Sequence, residues 1–429
     1  MQPELGNHGS LPSWLASLES RHPKSIDLGL ERSREVLQRM ALQLACPVIL
    51  VAGTNGKGST CAYLEAVLQA AGYRTGLYTS PHLLRYNERV RIDAKDCSDE
   101  AIVTGLAAVE AARGKTSLTY FEHGTLGAAW QFAQANVDVA VLEVGLGGRL
   151  DAVNLFEPEV SIVTSVDLDH QDWLGADREA IGFEKAGIFR ASKPAICADI
   201  QPPLSLRKHA HLIGANLQLI GQDFSYRRGT DNWQFDGHGQ TLSGLPLPAM
   251  AGEYQLRNAA AALAGLLAAK DRLPLTEPAI HLGLRQAWAA ARFQQVATHP
   301  QVILDVAHNP EAARALAGNL RERPVAGRTL AVFALLADKD LAAVVSPLQD
   351  LIDAWYVCGL DGARARPADE LARDLGQFIP NKPIECYASP VEGYATARSA
   401  ASENDRILVF GSFHTVASVL AAHPTWQFR

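Results

Sequence analysis

The sequence predicts an α/β protein of two domains, each built on a mainly parallel β-sheet. Apolar runs typical of buried strands alternate with helical segments, first over residues 48–197 and again from residue 302 onward. The length of 429 residues also favours two domains over one. Between the two series, residues 201–250 are rich in glycine, proline and aromatic residues, which predicts a small appended sheet. We expect one domain over residues 1–292 and a second over residues 293–429.

The composition is that of an ordinary globular protein and argues against several classes of function. The chain is 48% hydrophobic and 20% charged, and its formal net charge of −7 argues against a nucleic-acid-binding surface. Its six cysteines are scattered without a Cys-x-x-Cys pair, so neither a zinc site nor a disulfide framework is predicted. The polar N-terminus and the lack of an uninterrupted run of about 18 apolar residues argue against a signal peptide and a membrane span. We expect a cytoplasmic monomer without nucleic-acid or membrane partners.

An apolar run over residues 48–52 leads into a glycine-rich turn and then into a helix. The turn reads Gly53-Thr54-Asn55-Gly56-Lys57-Gly58-Ser59. Backbone N–H groups at a helix N-terminus bind anions, Lys57 can neutralise a phosphate, and Ser59 or Thr60 can bind Mg²⁺. The spacing departs from the standard Gly-x-x-x-x-Gly-Lys-Ser/Thr, so a glycine-rich turn without a ligand remains the alternative.

Other chemically active side chains follow predicted strands. Ser80 lies at the end of the strand over residues 74–80, at the edge where α/β sheets bind ligands. Glu143 ends an apolar run, so it is either a Mg²⁺ ligand or a carboxylate satisfied by its neighbours. His170 lies among carboxylates after the next strand, where it can be a metal ligand, a general base or part of a helix-capping cluster.

Two further polar residues have open interpretations. Lys185 lies in an apolar, glycine-interrupted segment, and the pattern alone favours a lysine that snorkels from a helix. Asn258 lies at the predicted start of an alanine-rich helix that runs to Ala269, where it can cap the helix or contact a ligand. The second α/β series is predicted from strands at 302–306, 330–336, 354–358 and 406–412, with a helix beginning at Pro310.

Seven motifs, in chain order, resemble the folylpolyglutamate synthases of the Mur-ligase superfamily. They begin at Gly53, Thr79, Leu142, Leu168, Glu184, Asp305 and Gly411 and span nearly the whole chain. The similarity is greatest to the bifunctional dihydrofolate synthase/folylpolyglutamate synthases of bacteria, because it includes residues 25–29 and 118–122. The resemblance implies an N-terminal P-loop ATPase-like domain and a C-terminal Rossmann-like domain.

The resemblance also implies a reaction. ATP phosphorylates a carboxylate of dihydropteroate or of a reduced folate, and the amine of L-glutamate attacks the acyl phosphate to form an amide. ATP, two Mg²⁺ ions and a carbamate on Lys185 are the implied cofactors. Because the acyl phosphate is lost to water, a cleft that closes between two domains is expected.

Residue roles are implied in the same way. ATP is expected to contact Thr54, Asn55, Gly56, Lys57, Gly58, Ser59, Asn258, Arg292 and Asp305. The metal ligands are Ser59, Ser80, Glu143, His170 and carbamylated Lys185, which replaces the snorkelling interpretation of that lysine. Lys57, His170, Lys185 and His308 are the catalytic residues. Substrate is expected at Ser25, Ile26, Asp27, Leu28, Thr119, Tyr120, Phe121, Glu122, Leu150, Asp151, Ala152 and Ser412.

A departure from the family pattern at position 291 and three alternatives accompany the resemblance. The family usually has glycine where this chain has Ala291, a position expected at the hinge. A folylpolyglutamate synthase without dihydrofolate synthase activity remains open. A peptidoglycan Mur ligase is disfavoured because the 52 residues before Gly53 are too few for its UDP-sugar domain. A nucleotide-binding scaffold with a degenerate site is disfavoured because Lys57, Glu143, His170 and Lys185 are all present.

Overall fold

The computed structural model describes residues 9–22, 24 and 26–426, and the chain divides into two compact units. The first comprises Met1–Pro248 and Leu256–Ala287, and the second Ala249–Gln255 and Trp288–Arg429. Each has its own α/β fold with a largely parallel sheet, which confirms the predicted fold class. None of the described helices combines the length and apolar character that a membrane crossing requires.

The first unit is organised around a sheet of eight described strands. In the order of the chain they are β1 (Val48–Ala52), β2 (Thr75–Tyr78), β3 (Val90–Ile92), β4 (Lys95–Asp96), β5 (Val139–Glu143), β6 (Val160–Val163), β7 (Pro194–Cys197) and β8 (Asn216–Leu219). Their order in space is β4-β3-β2-β5-β1-β6-β7-β8, and only β3 and β4 run antiparallel to their neighbours. Strands β1, β5 and β6 are buried along their whole length, as expected for a parallel sheet covered on both faces.

Helices cover this sheet, and a smaller sheet follows it in the chain. The helices are α1 (Leu11–Arg21), α2 (Glu31–Arg39), α3 (Lys57–Ala70), α4 (Asp99–Arg113), α5 (Tyr120–Ala135), α6 (Gln171–Leu174), α7 (Arg178–Ala186), α8 (Leu204–Ile213), α9 (Glu253–Ala268) and α10 (Glu277–Gln286). A short 3₁₀ helix spans Ala152–Leu155, and the small antiparallel sheet consists of β9 (Phe224–Arg228), β10 (Asn232–Gly237) and β11 (Gln240–Pro246).

The prediction for residues 201–250 was partly wrong. The appended sheet occupies only β9 to β11, whereas the preceding residues form α8 and then β8, which extends the large sheet. Helix α8 has its apolar residues Leu206 and Ala210 at helical spacing and ends at Gly214 in the left-handed conformation. The high glycine and proline content of the wider window obscured this short amphipathic pattern.

The second unit has a six-stranded sheet in the order β12-β13-β17-β14-β15-β16. Its elements are β12 (Gln294–Thr298), β13 (Gln301–Leu304), α11 (Pro310–Glu322), β14 (Thr329–Phe333), α12 (Leu341–Val345), β15 (Ala354–Cys358), α13 (Ala368–Phe378), β16 (Ile384–Tyr387), α14 (Pro390–Ala400), β17 (Arg406–Phe410) and α15 (Phe413–Ala421). The four predicted strands and the helix start at Pro310 are confirmed. The antiparallel edge strand β12 was not predicted, because its residues are half-buried or exposed and lack a continuous apolar run.

A buried histidine makes the stability of the fold depend on pH. His123 in α5 is 1% exposed, and its Nε2 atom lies 3.0 Å from the carbonyl oxygen of Leu106 in α4. Burial lowers the pKa of His123 to about 4, whereas the unfolded value is about 6.5. Because the folded state resists protonation, the free energy of unfolding should fall by up to ~3 kcal/mol as the pH drops through this window.

Urea denaturation at pH 7 and pH 4.5 measures this change in the free energy of unfolding. We expect His123→Gln to lose less stability between the two pH values than the unchanged protein, since glutamine does not titrate. His211→Gln, at an exposed position in α8, is the matched control and should behave like the unchanged protein. Identical pH dependence in the His123 variant would refute the assignment.

Candidate active site

Three neighbouring strands of the large sheet bring the predicted nucleotide and metal residues to one edge. Strand β1 lies between β5 and β6, all three parallel, so their carboxyl ends are adjacent. The chain order changes direction at β1, which is where open α/β sheets bind ligands. The glycine-rich turn follows β1, Glu143 ends β5, and the segment 164–170 follows β6.

Two glycines of the turn are required by its geometry. Gly53 has a φ of +153°, and a Cβ atom there would lie 1.8 Å from Oγ1 of Thr164. Gly56 has a φ of +84° at the N-cap of α3, and a Cβ atom there would lie 2.4 Å from Oδ1 of Asn258. A side chain at either position would have to displace Thr164 or Asn258 and adopt a backbone conformation that favours glycine.

Hydroxyl groups at the end of β6 hold the turn in place. Thr164 Oγ1 donates to the carbonyl of Asn55 at 2.6 Å, and the backbone N–H of Asn55 donates to Ser165 Oγ at 3.1 Å. Thr54 Oγ1 donates to the carbonyl of Asp167 at 3.0 Å. The turn is thus rigidly attached to the neighbouring strand, with the N-terminus of α3 directly after it.

Lys57 lies over this turn. Its Nζ atom donates to the carbonyls of Gly53 at 3.0 Å and Thr54 at 3.2 Å. Its positive charge also acts on Asp151, a buried carboxylate that accepts from the backbone N–H groups of Leu146 and Val153. Burial raises the pKa of Asp151 to about 6, and Lys57 and these donors partly oppose that shift.

Glu143 and Ser80 lie together as predicted. Glu143 is 4% exposed, and its Oε2 atom accepts from the backbone N–H of Ser80 at 3.1 Å. The carboxylate therefore has a protein partner, and its oxygens and the Ser80 hydroxyl are of the type that Mg²⁺ prefers. In the part of the chain that the structure describes, no three His, Cys, Asp or Glu side chains are grouped as a metal site. A protein-only cage is also not expected for Mg²⁺, which commonly combines one or two carboxylates with substrate phosphates and water.

In the segment after β6, the two aspartates and His170 have different hydrogen-bonding roles. Asp167 and Asp169 each accept the backbone N–H of the following residue, so they stabilise the turn. His170 is at the N-cap of α6 with a φ of +52°, and its side chain makes no capping hydrogen bond there. Neither of these hydrogen bonds reaches an N–H group of α6, so they indicate a role of the two aspartates in the turn and not in capping the helix. Asp199, which follows β7, stabilises the same segment by accepting the backbone N–H of Val166 at 2.6 Å.

Lys185 is buried, so the pattern-based expectation that it snorkels to solvent was wrong. It is 3% exposed in the last turn of α7, because this end of the helix packs against the loop after β5. A Cβ atom on Gly148 would lie 2.9 Å from the carbonyl oxygen of Glu184, and Arg149 pairs with the Glu184 carboxylate at 2.8 Å. The charge of a lysine in such a place must be compensated or chemically altered.

The structure rules out one of the two interpretations of Asn258, namely that it caps its helix. Helix α9 begins at Glu253, so Asn258 lies in the helix interior and cannot be its N-cap. It is 2% exposed, and the side chain reaches Gly56 of the glycine-rich turn. The ligand-contact interpretation stays a prediction.

The predicted pterin segments meet at the start of α5. Thr119 caps α5 and accepts from the N–H of Glu122, and Glu122 accepts from the N–H of Thr119 at 2.7 Å, so both residues have structural roles. Phe121 packs on the loop after β5, since a Cβ atom on Gly145 would lie 2.6 Å from its ring. Tyr120 contacts Tyr86 edge to face at 5.8 Å.

The remaining predicted pterin residues lie in two other segments. Asp27 is connected to Glu122 through Arg32, a residue to which the sequence assigned no role. Ile26 and Leu28 flank Asp27 and are half-buried, as is Leu150, whereas Ala152 is buried at the start of the 3₁₀ helix. Ser25 lies outside the described residues.

In the second unit, Asp305 organises a separate cluster. Its carboxylate accepts from the backbone N–H groups of Phe293 and Ala307, each at 2.8 Å, and burial raises its pKa to about 6. His308 Nδ1 lies 2.8 Å from the carbonyl oxygen of Val306, and since that oxygen can only accept, Nδ1 is the donor. Ser412 caps α15 by accepting from the N–H of Thr415 at 2.9 Å, which gives it a structural role.

The segment around Arg292 has an unusual backbone. Ala291 and Phe293 have φ values of +54° and +50°, a conformation that costs about 1 kcal/mol or more for residues other than glycine. Ala291 is fully buried, and the Arg292 guanidinium lies 5.4 Å from the centre of the Phe413 ring. Glycine adopts the left-handed conformation with little strain, which explains why it is favoured at position 291. In this chain Ala291 adopts the same conformation.

Substituting Gly53 tests the close approach of the turn to β6. We expect Gly53→Ala to destabilise the protein by about 2–4 kcal/mol, because the new methyl group cannot avoid Thr164. Gly72→Ala is a matched control, since Gly72 has a φ of +91° but no atom within 4 Å of its Cβ position. The control should cost only about 1 kcal/mol of backbone strain. Equal losses in urea denaturation would refute the role of the Thr164 contact.

Comparisons with known proteins find relatives that match both parts of the chain. The Mur ligase middle domain family matches residues 51–266, and the Mur ligase glutamate ligase domain family matches residues 291–413. The dihydrofolate synthase/folylpolyglutamate synthase of Escherichia coli is 47% identical over 412 residues, covering 96% of this chain and 94% of that protein.

Solved structures extend the similarity to the whole fold. A structure of Escherichia coli FolC in complex with DHPP and ADP has a TM-score of 0.93 and 46% identity, and the match covers 99% of both chains. A bifunctional folylpolyglutamate synthase/dihydrofolate synthase with Mn, AMPPNP and L-glutamate bound has a TM-score of 0.90 and 43% identity, covering 98% and 99%. With this identity across both units, the chain belongs to the dihydrofolate synthase/folylpolyglutamate synthase family of the Mur ligases.

Proposed function

We propose that this chain is an ATP-dependent ligase that joins L-glutamate to dihydropteroate, giving dihydrofolate, and to the γ-carboxylate of tetrahydrofolate, giving polyglutamates. The observation that carries the proposal is the 47% identity to a dihydrofolate synthase/folylpolyglutamate synthase over nearly the full length of both proteins. Relatives bind ADP with DHPP, and an ATP analogue with Mn and L-glutamate. These ligands match the three substrates that the reaction requires.

The residues of the first unit fit phosphoryl transfer. The acceptor carboxylate attacks the γ-phosphate of ATP, which forms an acyl phosphate and releases ADP. The amine of glutamate then attacks the acyl carbon, and phosphate leaves as the amide forms. Lys57 and the N–H groups at the start of α3 stabilise the negative charge on the transferred group, because both are held over the turn before that charge develops.

A divalent metal fits the same edge of the sheet. Glu143 presents a nearly buried carboxylate beside Ser80, and both offer the hard oxygen ligands that Mg²⁺ favours. When bound there, Mg²⁺ would neutralise phosphate charge and polarise the transferred phosphoryl group. We assign Ser59, Ser80 and Glu143 to this metal, and Glu143 with His170 and carbamylated Lys185 to a second one.

Finer assignments belong to the same proposal. Lys185 is carbamylated: its amine in the unprotonated form reacts with CO₂, and the resulting anion is stabilised by nearby metal cations. Residues 1–292 form the ATP-binding domain with the pterin site, and residues 293–429 form the glutamate-ligase domain. The protein acts as a cytoplasmic monomer. The roles of Asn258, Arg292, Asp305, His308 and Ser412 stay predictions.

A phosphate-release assay tests the function. Purified protein with ATP, Mg²⁺ and L-glutamate should release phosphate only when dihydropteroate or tetrahydrofolate is added. Running the two acceptors side by side decides between the bifunctional enzyme and the alternative of a folylpolyglutamate synthase alone. Release that depends instead on a UDP-muramoyl substrate would overturn the proposal.

A further inference from the structure

Arg32 connects two segments of the predicted pterin site that are far apart in the chain. It lies in the first turn of α2, and its NH1 atom pairs with the Asp27 carboxylate at 2.7 Å. Its NH2 atom donates to the backbone carbonyl of Asp27 at 2.6 Å and to Glu122 Oε1 at 3.0 Å. One guanidinium therefore holds the segment before α2 against the first turn of α5.

The two side chains that Arg32 joins, Asp27 and Glu122, are both acidic, so a cation between them is needed. Glu122 is buried, with its side chain 5% exposed, and its other oxygen already accepts the N–H of Thr119. Without Arg32, the Asp27 carboxylate would face a buried carboxylate of the same charge. Two other basic side chains approach Asp27: Lys24 at 3.4 Å, which is exposed, and His22 at 3.6 Å, which is charged only when protonated. Arg32 is the closer partner at 2.7 Å, and it also contacts Glu122.

The planar guanidinium is suited to this bridge. It contacts a carboxylate and a carbonyl of one segment and a carboxylate of the other at the same time, which fixes both position and orientation. Lysine carries the same charge but has no such fork. Glu122 in turn orders the start of α5 through its reciprocal hydrogen bonds with Thr119.

We propose that Arg32 is a positioning residue that sets the pterin affinity of this ligase by holding residues 26–28 against the N-terminus of α5. The inference rests on the proposed function, because it takes the pterin as the ligand of these segments. Arg32 acts through Asp27 and Glu122 and takes no part in the transfer of phosphate or glutamate.

Steady-state kinetics of Arg32→Gln in the full chain test the proposal. The KM for dihydropteroate should rise about tenfold, while kcat and the KM for ATP change less than about twofold. Arg32→Lys should give an intermediate KM, because it restores the charge without the fork. Arg34→Gln removes the same charge from an exposed position on α2 and should leave all constants unchanged.

Hydrogen exchange separates failure of this inference from failure of the proposed function. Backbone amides of residues 26–30 should exchange faster in Arg32→Gln, while those of α3 keep their protection. This readout needs no substrate, so it remains informative if the unchanged protein ligates a different acceptor. An unchanged KM for dihydropteroate would overturn the inference, as would unchanged exchange in residues 26–30. A parallel rise in the KM for ATP would also overturn it, because it would indicate general disruption.

Discussion

Lys185→Ala should lower the rate of glutamate ligation by at least about a thousandfold while the fold stays intact. The physical reason is that Lys185 is buried at the end of α7, where an unmodified ammonium group would be poorly solvated. As a carbamate, it becomes an anion that can support a metal ion beside the transferred phosphate. Alanine removes that anion but suits a helix, so the secondary structure should survive.

Four experiments examine this prediction together. The rate of phosphate release gives the loss of activity, and circular dichroism with thermal denaturation checks the fold. Carbon-13 NMR in labelled bicarbonate should show a carbamate resonance in the unchanged protein and none in the variant. Small carboxylic acids added to the variant should restore part of the activity, because they can enter the space left by the side chain.

Lys193→Ala is the matched control for Lys185. Lys193 is a half-exposed lysine that pairs with Glu159 at 2.9 Å, and its side chain is 43% exposed. Its removal should leave both the activity and the carbamate resonance unchanged. Near-normal turnover of Lys185→Ala would refute the catalytic carbamate.

Lys57→Met should lower kcat by about a hundredfold or more. Methionine keeps most of the length of the side chain but removes the charge that we propose acts on the γ-phosphate during transfer. In the structure, Lys57 is held over the turn by the carbonyls of Gly53 and Thr54, so the charge is positioned without reorganisation. Because the backbone N–H groups of the turn remain, the binding of ATP should weaken less than the rate falls.

Single-turnover kinetics and ATP-analogue binding separate these two effects. Lys95→Met, at an exposed position in β4, is the control and should retain the activity of the unchanged protein. If Lys57→Met loses ATP affinity while the single-turnover rate at saturating ATP is unchanged, the lysine contributes to binding alone. If neither changes, the assignment of the turn as the phosphate site is wrong.

Much of the fold could be predicted because its central strands have a recognisable local sequence pattern. The central strands of both sheets are continuous apolar runs bounded by turns, and β1, β5, β14 and β17 were all found in this way. Strands at or next to a sheet edge were missed, since β3, β4 and β12 are short or half-exposed and have no strong apolar pattern. The helix α8 was missed because its surroundings are rich in turn-forming residues.

Some residues of the candidate site could likewise be placed from the sequence, and others could not. Residues that end a buried strand, such as Glu143 and Ser80, could be placed from the sequence, because parallel strands present their carboxyl ends at one edge. Residues that act across elements could not. Arg32 joins α2 to α5, and Asn258 reaches the turn from the interior of α9. No local pattern encodes either contact, since the partners lie about 90 and 200 positions away.

The sequence by itself determined the α/β class, the strand–turn–helix at Gly53 and the side chains available for chemistry, because each depends on local spacing and residue type. Only the tertiary structure decided the state of those side chains. Lys185 is buried because α7 packs on the loop after β5, and Gly53 must be glycine because Thr164 approaches it. Burial and close approach depend on which elements pack together, and that information is spread over the whole chain.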